Sequence, residues 1–178
     1  YKKCADAIAK IAAKYPDQKG LILPFTNDIE DGIVEALKDN HPLVYARLRQ
    51  HSKMPKERDA VFREFEDEQN NEILISTYAN QGFDGKMVGF TVIAKVPFGP
   101  LGDIQVKAKA ENDPKWYQMQ TAVELAQMAG RCVRSETDVG HTYIIDPSFM
   151  FHFERGMKNN PLARVLPPYI STAIIKNR

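Results

Sequence analysis

Glu72-Ile-Leu-Ile-Ser-Thr77 is a short apolar run that closes on two hydroxyls and passes into a polar, glycine-bearing loop, Tyr78-Ala-Asn-Gln-Gly82-Phe-Asp84-Gly85. A short apolar run of this kind, bounded by turn residues, reads as a strand, the cleanest in the chain. Working outward, similar runs recur at Leu21-Ile-Leu-Pro-Phe25, at residues 43–47, at Phe90-Thr-Val-Ile-Ala-Lys-Val96 and at His141-Thr-Tyr-Ile-Ile-Asp146. Helical patterns lie between them. Residues 3–14 are alanine-rich and stop before Pro16; a second helix starts at the cap Thr26-Asn27-Asp28 and runs to about Leu37. A third opens at Pro55 and reaches about Asp67, with Val61, Phe62 and Phe65 on its buried side; a long one runs from about Lys115 to Val133. Residues 101–113 read as polar and irregular, and short helices are expected near residues 149–156 and 160–166. Buried strands alternating with helices predict an α/β fold with a mostly parallel sheet and helices on both faces.

In such sheets the functional edge lies beyond the carboxyl ends of the strands. That rule collects Thr26 and Asn27, residues 47–49, residues 77–84, and Pro97 with Phe98. Ser76 and Thr77 are hydroxyl donors suited to phosphate, and Asp84 suits a ribose hydroxyl or an arginine. The alternative is a plain strand-to-helix connection, with Gly82 and Gly85 serving tight turns. Thr26 is a helix N-cap, and the helix start it marks also attracts phosphate.

A further stretch, Gln127-Met-Ala-Gly-Arg131-Cys-Val-Arg134, ends the long helical run. On a continuous helix, residues 127, 131 and 134 share one stripe of an amide and two guanidiniums. Gly130 beside them leaves the backbone approachable. Two permanently charged forks on one face suit a polyanion, a nucleotide triphosphate above all. Solvated arginines near a helix C-terminus, favoured by the helix dipole, are the competing account.

Composition excludes several classes. With 178 residues the chain suits one domain, 1–178, with a core of its own. A net charge of +1 means that any phosphate binding comes from local placement. One such local excess is Arg155, Lys158, Arg164, Lys176 and Arg178 against Asp146 and Glu154. Cys4 and Cys132 form neither a disulfide framework nor a metal pair, and the four histidines lack metal-ligand spacing, so no metal site is expected in this chain. No apolar run approaches the roughly 18–20 residues of a membrane span. The expected setting is therefore soluble and reducing: cytoplasmic, or nuclear in a eukaryote. The chain starts at Tyr1, directly in a helical pattern, and reads as a piece of a longer protein. Trp116 and Tyr117 are readable as a base-stacking pair or as core. There is no GxxxxGK[ST] phosphate loop, no Asp-Glu pair after an apolar strand, and no Ser-His-Asp or Cys-His arrangement.

Taken together these stretches resemble the second (C-terminal) RecA-like motor domain of superfamily 2 helicases, most closely the XPD/DinG-like branch. Gln127-x-x-Gly130-Arg131-x-x-Arg134, followed by Ser135-Glu-Thr-Asp138-x-Gly140 and the strand to Asp146, is similar to that branch's motif VI and its following strand. Ile75-Ser-Thr77 with Gln81-Gly82-Phe83-Asp84-Gly85 resembles motif V; Lys95-Val-Pro97-Phe98 resembles its "K-L-P-F" strand, and Leu23-Pro-Phe25-Thr26 resembles motif IV. The order and spacing of these matches, from about Lys19 to Asp146, carry the resemblance. One departure is Gln81, where the branch usually has an acidic residue.

The resemblance implies that Arg131 and Arg134 reach the ATP γ-phosphate across a cleft, with Gln127 coupling the cleft to the domain. It implies Gly82, Asp84 and Gly130 at the nucleotide edge, and Thr26, Asn27 and Thr77 on the backbone of single-stranded DNA. ATP with Mg²⁺ would be bound mainly by a first motor domain of the same chain, which carries the phosphate loop and magnesium pair absent here. An iron–sulfur cluster, frequent in the branch, would also lie there. The implied function is half of an ATP-dependent DNA helicase, inert alone. The rival is a non-catalytic nucleic-acid-binding or protein-docking module on the same fold. A separate nucleotide-binding fold would need a glycine-rich first turn, and Pro24-Phe-Thr-Asn27 is not one.

Overall fold

A computed structural model describes residues 1–67, 70–79, 83, 88–132, 140–155 and 161–174. They form two compact units: Tyr1–Lys95 with Ala129–Ile145, and Val96–Met128 with Asp146–Arg178.

The first unit is built on a parallel sheet of five strands: β1 (Lys19–Leu23), β2 (Leu48–Arg49), β3 (Ile73–Ile75), β4 (Val88–Ile93) and β5 (His141–Ile144). Their order is β2-β3-β1-β4-β5, and every pairing is parallel. All residues of β1 and β3 are buried, which is why both read as unbroken apolar runs. On one face, Ile22, Ile73, Ile75, Phe90 and Val92 join a single core with α1 (Lys2–Ala12) and α2 (Asn27–Asn40). α1 contributes Ala5, Ile8, Ile11 and Ala12, an i, i+3, i+6, i+7 stripe facing the sheet. α2 contributes Ile33 and Leu37. Gly20 is required by this packing, because a Cβ there would stand 2.2 Å from the ring tip of Phe90. On the other face the buried Lys19 ammonium donates to the Phe65 carbonyl of α4 (Pro55–Asp67). Helices therefore cover both faces, as expected.

Two segments depart from the sequence reading. Residues 42–45 are not strand but a short helix, α3 (Pro42–Tyr45). Proline at the first helical position is already set for the turn, and the His41 carbonyl accepts from Val44 and Tyr45 N–H. The strand follows as β2, in register with Ile73 and Leu74. The stretch 101–113, read as irregular, contains α5 (Ile104–Asn112). Its cap is Asp103, whose Oδ1 accepts from the N–H groups of Gln105 and Val106 at 2.8 and 3.2 Å.

The second unit holds α5, the body of α6 (Pro114–Ala129), α7 (Phe149–Glu154), a 3₁₀ turn Leu162–Arg164 and α8 (Pro168–Ser171). Buried Asp146 joins its two chain segments, accepting from Val96 N–H at 3.0 Å and from Ser148 N–H and hydroxyl at 2.9 and 2.8 Å. Phe98 lies against Tyr117 and His152, with ring centroids 6.2 and 4.2 Å apart. The Tyr117 hydroxyl donates to the Gly99 carbonyl, and burial raises its pKa. Trp116 is half-buried beneath the Lys109 ammonium, 3.9 Å from its ring centroid.

Candidate functional site

At the carboxyl end of β1 the chain turns through Pro24-Phe25 into α2. Phe25 has a φ of 80°, the one positive φ of a non-glycine among the described residues. An aromatic residue in that region is backbone strain, and strain concentrates where a site fixes the chain. Thr26 then caps α2: its hydroxyl accepts from Ile29 N–H at 3.4 Å and its carbonyl from Glu30 N–H at 3.0 Å.

The parallel register sets Ile22 beside Ile75, so β1 and β3 end level with each other. Thr77 therefore meets the first turn of α2. The Thr77 hydroxyl donates to Asn27 Oδ1 at 3.1 Å, and the Thr77 N–H donates to Glu30 Oε2 at 3.0 Å. Asn27 and Glu30 are three residues apart, so one helix face presents both acceptors. Burial is the main cause raising the Glu30 pKa above the ordinary glutamate value; Asp31 adds to it, while the Thr77 N–H, His51 and Lys53 oppose it.

Ser76 is buried and fully used. Its oxygen accepts from Tyr78 and Ala79 N–H at 3.0 and 3.2 Å, and lies 2.7 Å from His51 Nε2. His51 Nδ1 sits 2.8 Å from the Ser52 carbonyl oxygen, which only accepts. In the neutral ring Nδ1 is thus the donor and Nε2 accepts from the Ser76 hydroxyl. His51 packs edge-on against Phe62 and Tyr78, and the Arg58 guanidinium lies 4.7 Å from the Tyr78 ring centroid.

The arginine stretch folds differently from expectation. α6 stops at Ala129 rather than near Val133, and Gly130–Cys132 is a 3₁₀ turn. Three residues per turn over Gly130–Cys132 replace the α-helical spacing that would align Gln127 with Arg131. The Ala129 carbonyl accepts from the Thr142 hydroxyl on β5 at 3.1 Å, which fixes where the helix ends. Gln127 and Gly130 are exposed, and a Cβ on Gly130 would meet nothing within 4 Å. Arg131 Nη1 donates to the Phe83 carbonyl at 2.6 Å. Phe83 is buried against Phe62 and Phe65, with ring centroids 5.1 and 6.0 Å away. In sequence it lies between Gly82 and Asp84. Gly82, Asp84 and Arg134, like Gln81, lie outside the described residues.

The structure thus brings together Thr26, Asn27 and Thr77, and holds Arg131 to the loop that follows β3. Arg47 was expected at this edge and lies at the opposite one. Its guanidinium donates to the carbonyls of Asn71, Ala12, Tyr15 and Gln18, all near the amino ends of β1 and β3. Arg49 pairs with Glu64 and Glu72. Sequence reasoning missed Glu30 and His51. Glu30 carried a faint signal, a carboxylate one helical turn after a cap. His51 carried none, because its partner Ser76 is 25 residues away. Among the described residues no three His, Cys, Asp or Glu side chains are grouped to hold a metal ion. No helix among them is long and apolar enough to cross a membrane.

An all-parallel five-stranded sheet with helices on both faces and a polar carboxyl edge is the RecA-like class of domain. Residues 8–159 match the helicase C-terminal domain family, and the chain belongs to it. Solved structures with the same fold include S. tokodaii Xpd4, at TM-score 0.58 and 14% identity over 84% of this chain and 30% of that one. An XPD helicase aligns at TM-score 0.58 and 19% identity, covering 86% and 29%. The C-terminal domain of the DEAD-box protein Dbp5 aligns at 0.54 and 15%, covering 83% and 72%. The chain spans less than a third of the two XPD structures. No curated protein sequence matches it. The family makes it a helicase C-terminal domain, and the fold is the one these solved structures share.

Proposed function

We propose that this domain is one half of an ATP-dependent helicase that moves along single-stranded DNA, with ATP and Mg²⁺ bound mainly by a first motor domain of the same chain. Arg131 and Arg134 supply positive charge to the γ-phosphate, Gln127 couples the cleft to the rest of the domain, and Gly82, Asp84 and Gly130 line the nucleotide edge. An arginine finger of this kind meets transition-state charge that another element has positioned, and contributes on the order of 10³–10⁵ in rate. Thr26, Asn27 and Thr77 grip the strand through its phosphates, so the grip carries little sequence information.

The observation that carries the reading is the Thr77 cluster. A hydroxyl, a main-chain N–H and a helix start converge where β1 and β3 end, the place where a RecA-like sheet meets its ligands. The Arg131 bond to Phe83 supports it by tying the arginine turn to the same loop.

Two binding measurements on the 178-residue chain test it. A labelled oligothymidylate should bind, and binding should weaken as salt rises. ATP should bind far more weakly than to a self-sufficient nucleotide site, because half a cleft holds half the contacts. Micromolar ATP binding with no oligonucleotide binding would point away from a shared cleft.

A further inference from the structure

Thr77 offers two donors to a ligand, its N–H and its hydroxyl, and both are engaged. Glu30 Oε2 takes the first at 3.0 Å and Asn27 Oδ1 takes the second at 3.1 Å. Two acceptor oxygens from one helix face, one of them anionic, occupy the positions that two oxygens of a phosphodiester would take. We infer that Asn27 and Glu30 form a resident phosphate mimic on Thr77, which a backbone phosphate of the nucleic-acid strand displaces on binding. The inference rests on the strand-gripping role proposed above and names its gatekeeper.

The chemistry of Glu30 makes the exchange selective. A phosphate reaching Thr77 meets the Glu30 carboxylate at hydrogen-bonding range, and like charges that close repel. Glu30 must swing away or take up a proton before the phosphate seats. Its carboxyl is half-buried, and that burial already favours the protonated form. The charged and titratable groups around it are His51 and Lys53 from the segment between β2 and α4, and Asp31 from α2 itself; Lys53 also lies 3.9 Å from Asp31. A single free anion gains too little to displace a tethered carboxylate. A strand that places several phosphates along the edge gains enough. The carboxylate therefore discriminates a polyanionic strand from inorganic phosphate.

The test compares wild type with Glu30→Gln, which keeps the side chain's shape and an acceptor oxygen but removes the charge. Affinity for a fifteen-residue oligothymidylate is measured by fluorescence anisotropy at low and moderate salt, and the Thr77 amide is followed by NMR. The expected result is binding about three- to tenfold tighter in Glu30→Gln, the size of one like-charge contact at a partly screened site, with the gain shrinking as salt rises. The Thr77 amide resonance should move on oligonucleotide addition and stay in place with millimolar inorganic phosphate. Asn27→Asp, which adds a second charge to the mimic, should bind more weakly than wild type. Unchanged or weaker binding by a folded Glu30→Gln protein overturns the inference and leaves the strand-gripping role standing. If neither protein binds the oligonucleotide and the amide does not move, the strand-gripping role itself falls and the inference falls with it.

Discussion

The Thr77 edge and the arginine turn sit on the same unit and are built in opposite ways. At the edge, side chains from three elements converge on one loop: Asn27 and Glu30 from α2, His51 from the segment after β2, and Ser76 and Thr77 after β3. At the arginine turn, a long side chain reaches a main-chain carbonyl of a buried loop residue, Phe83. In the first arrangement both Thr77 donors are taken up by side-chain acceptors of α2. The second is a charge attached to the core by a hydrogen bond that orients it. The lesson is a division of labour: contacts that grip and release are made of exchangeable polar side chains, and contacts that set a charge in place are anchored to backbone. Phe62 lies between the two regions, touching His51 on one side and Phe83 on the other.

If the arginine turn is the catalytic partner, the largest effect belongs to it. Arg131→Ala, in a protein joining this domain to its first motor domain, should lower the rate of ATP hydrolysis on the order of 10³-fold. The same change should leave oligonucleotide affinity within about twofold, since the described Arg131 bond goes to a main-chain carbonyl and not to Thr26, Asn27 or Thr77. Steady-state hydrolysis and anisotropy measured on one preparation separate the two regions.

The anchor itself is next in size. Phe83→Ala empties a buried site against Phe62 and Phe65 and should cost about 3–5 kcal/mol of stability, read from the urea midpoint. Phe83→Leu retains most of the volume and should cost well under half of that. Equal losses would mean that the edge-on and tilted ring contacts, not the filled space, hold the loop.

Thr77→Val keeps the shape of the side chain and removes its hydroxyl. Oligonucleotide affinity should fall about tenfold, as expected for one hydrogen bond to a charged acceptor, with a stability loss of about 1 kcal/mol from the missing bond to Asn27. A stability loss without an affinity loss would make Thr77 a structural residue and blur the contrast with Arg131.

The smallest effect concerns pH. The Glu30 pKa is raised in the folded state, chiefly by burial. The folded protein therefore binds that proton more tightly than the unfolded chain. This contribution to stability is fully present below the ordinary glutamate value and is lost as pH rises through the raised folded value. Urea unfolding of Glu30→Gln across that window should show a flatter pH dependence than wild type. An identical slope would mean that Glu30 is no more costly to ionise in the fold than in the open chain.

The sequence made much of this legible for identifiable reasons. β1 and β3 are buried along their whole length and β4 at all but Gly89, so their largely apolar runs read as strands. Thr26 is a side-chain cap at a strand end, and it was found because capping is a local interaction. Failures came where tertiary contacts decide. Leu43-Val-Tyr has strand-like composition, yet Pro42 and the His41 carbonyl make it a turn of helix. α5 escaped notice because only Ala110 is buried along it, so no apolar stripe marks it. The arginine stretch looked like continuous helix because nothing local announces the Thr142 hydroxyl that holds its end. His51 and Glu30 joined the site through partners 25 and 47 residues away, beyond any spacing rule.

The most direct test of the motor account uses a chain that carries both motor domains, measuring ATP hydrolysis with and without single-stranded DNA for wild type and Arg134→Ala. The account predicts hydrolysis that DNA stimulates, and a folded alanine variant that still binds DNA yet loses most of that activity. Equal hydrolysis by the two proteins would contradict the arginine assignment, and a wild type with no hydrolysis at all would make the domain a binding or docking module.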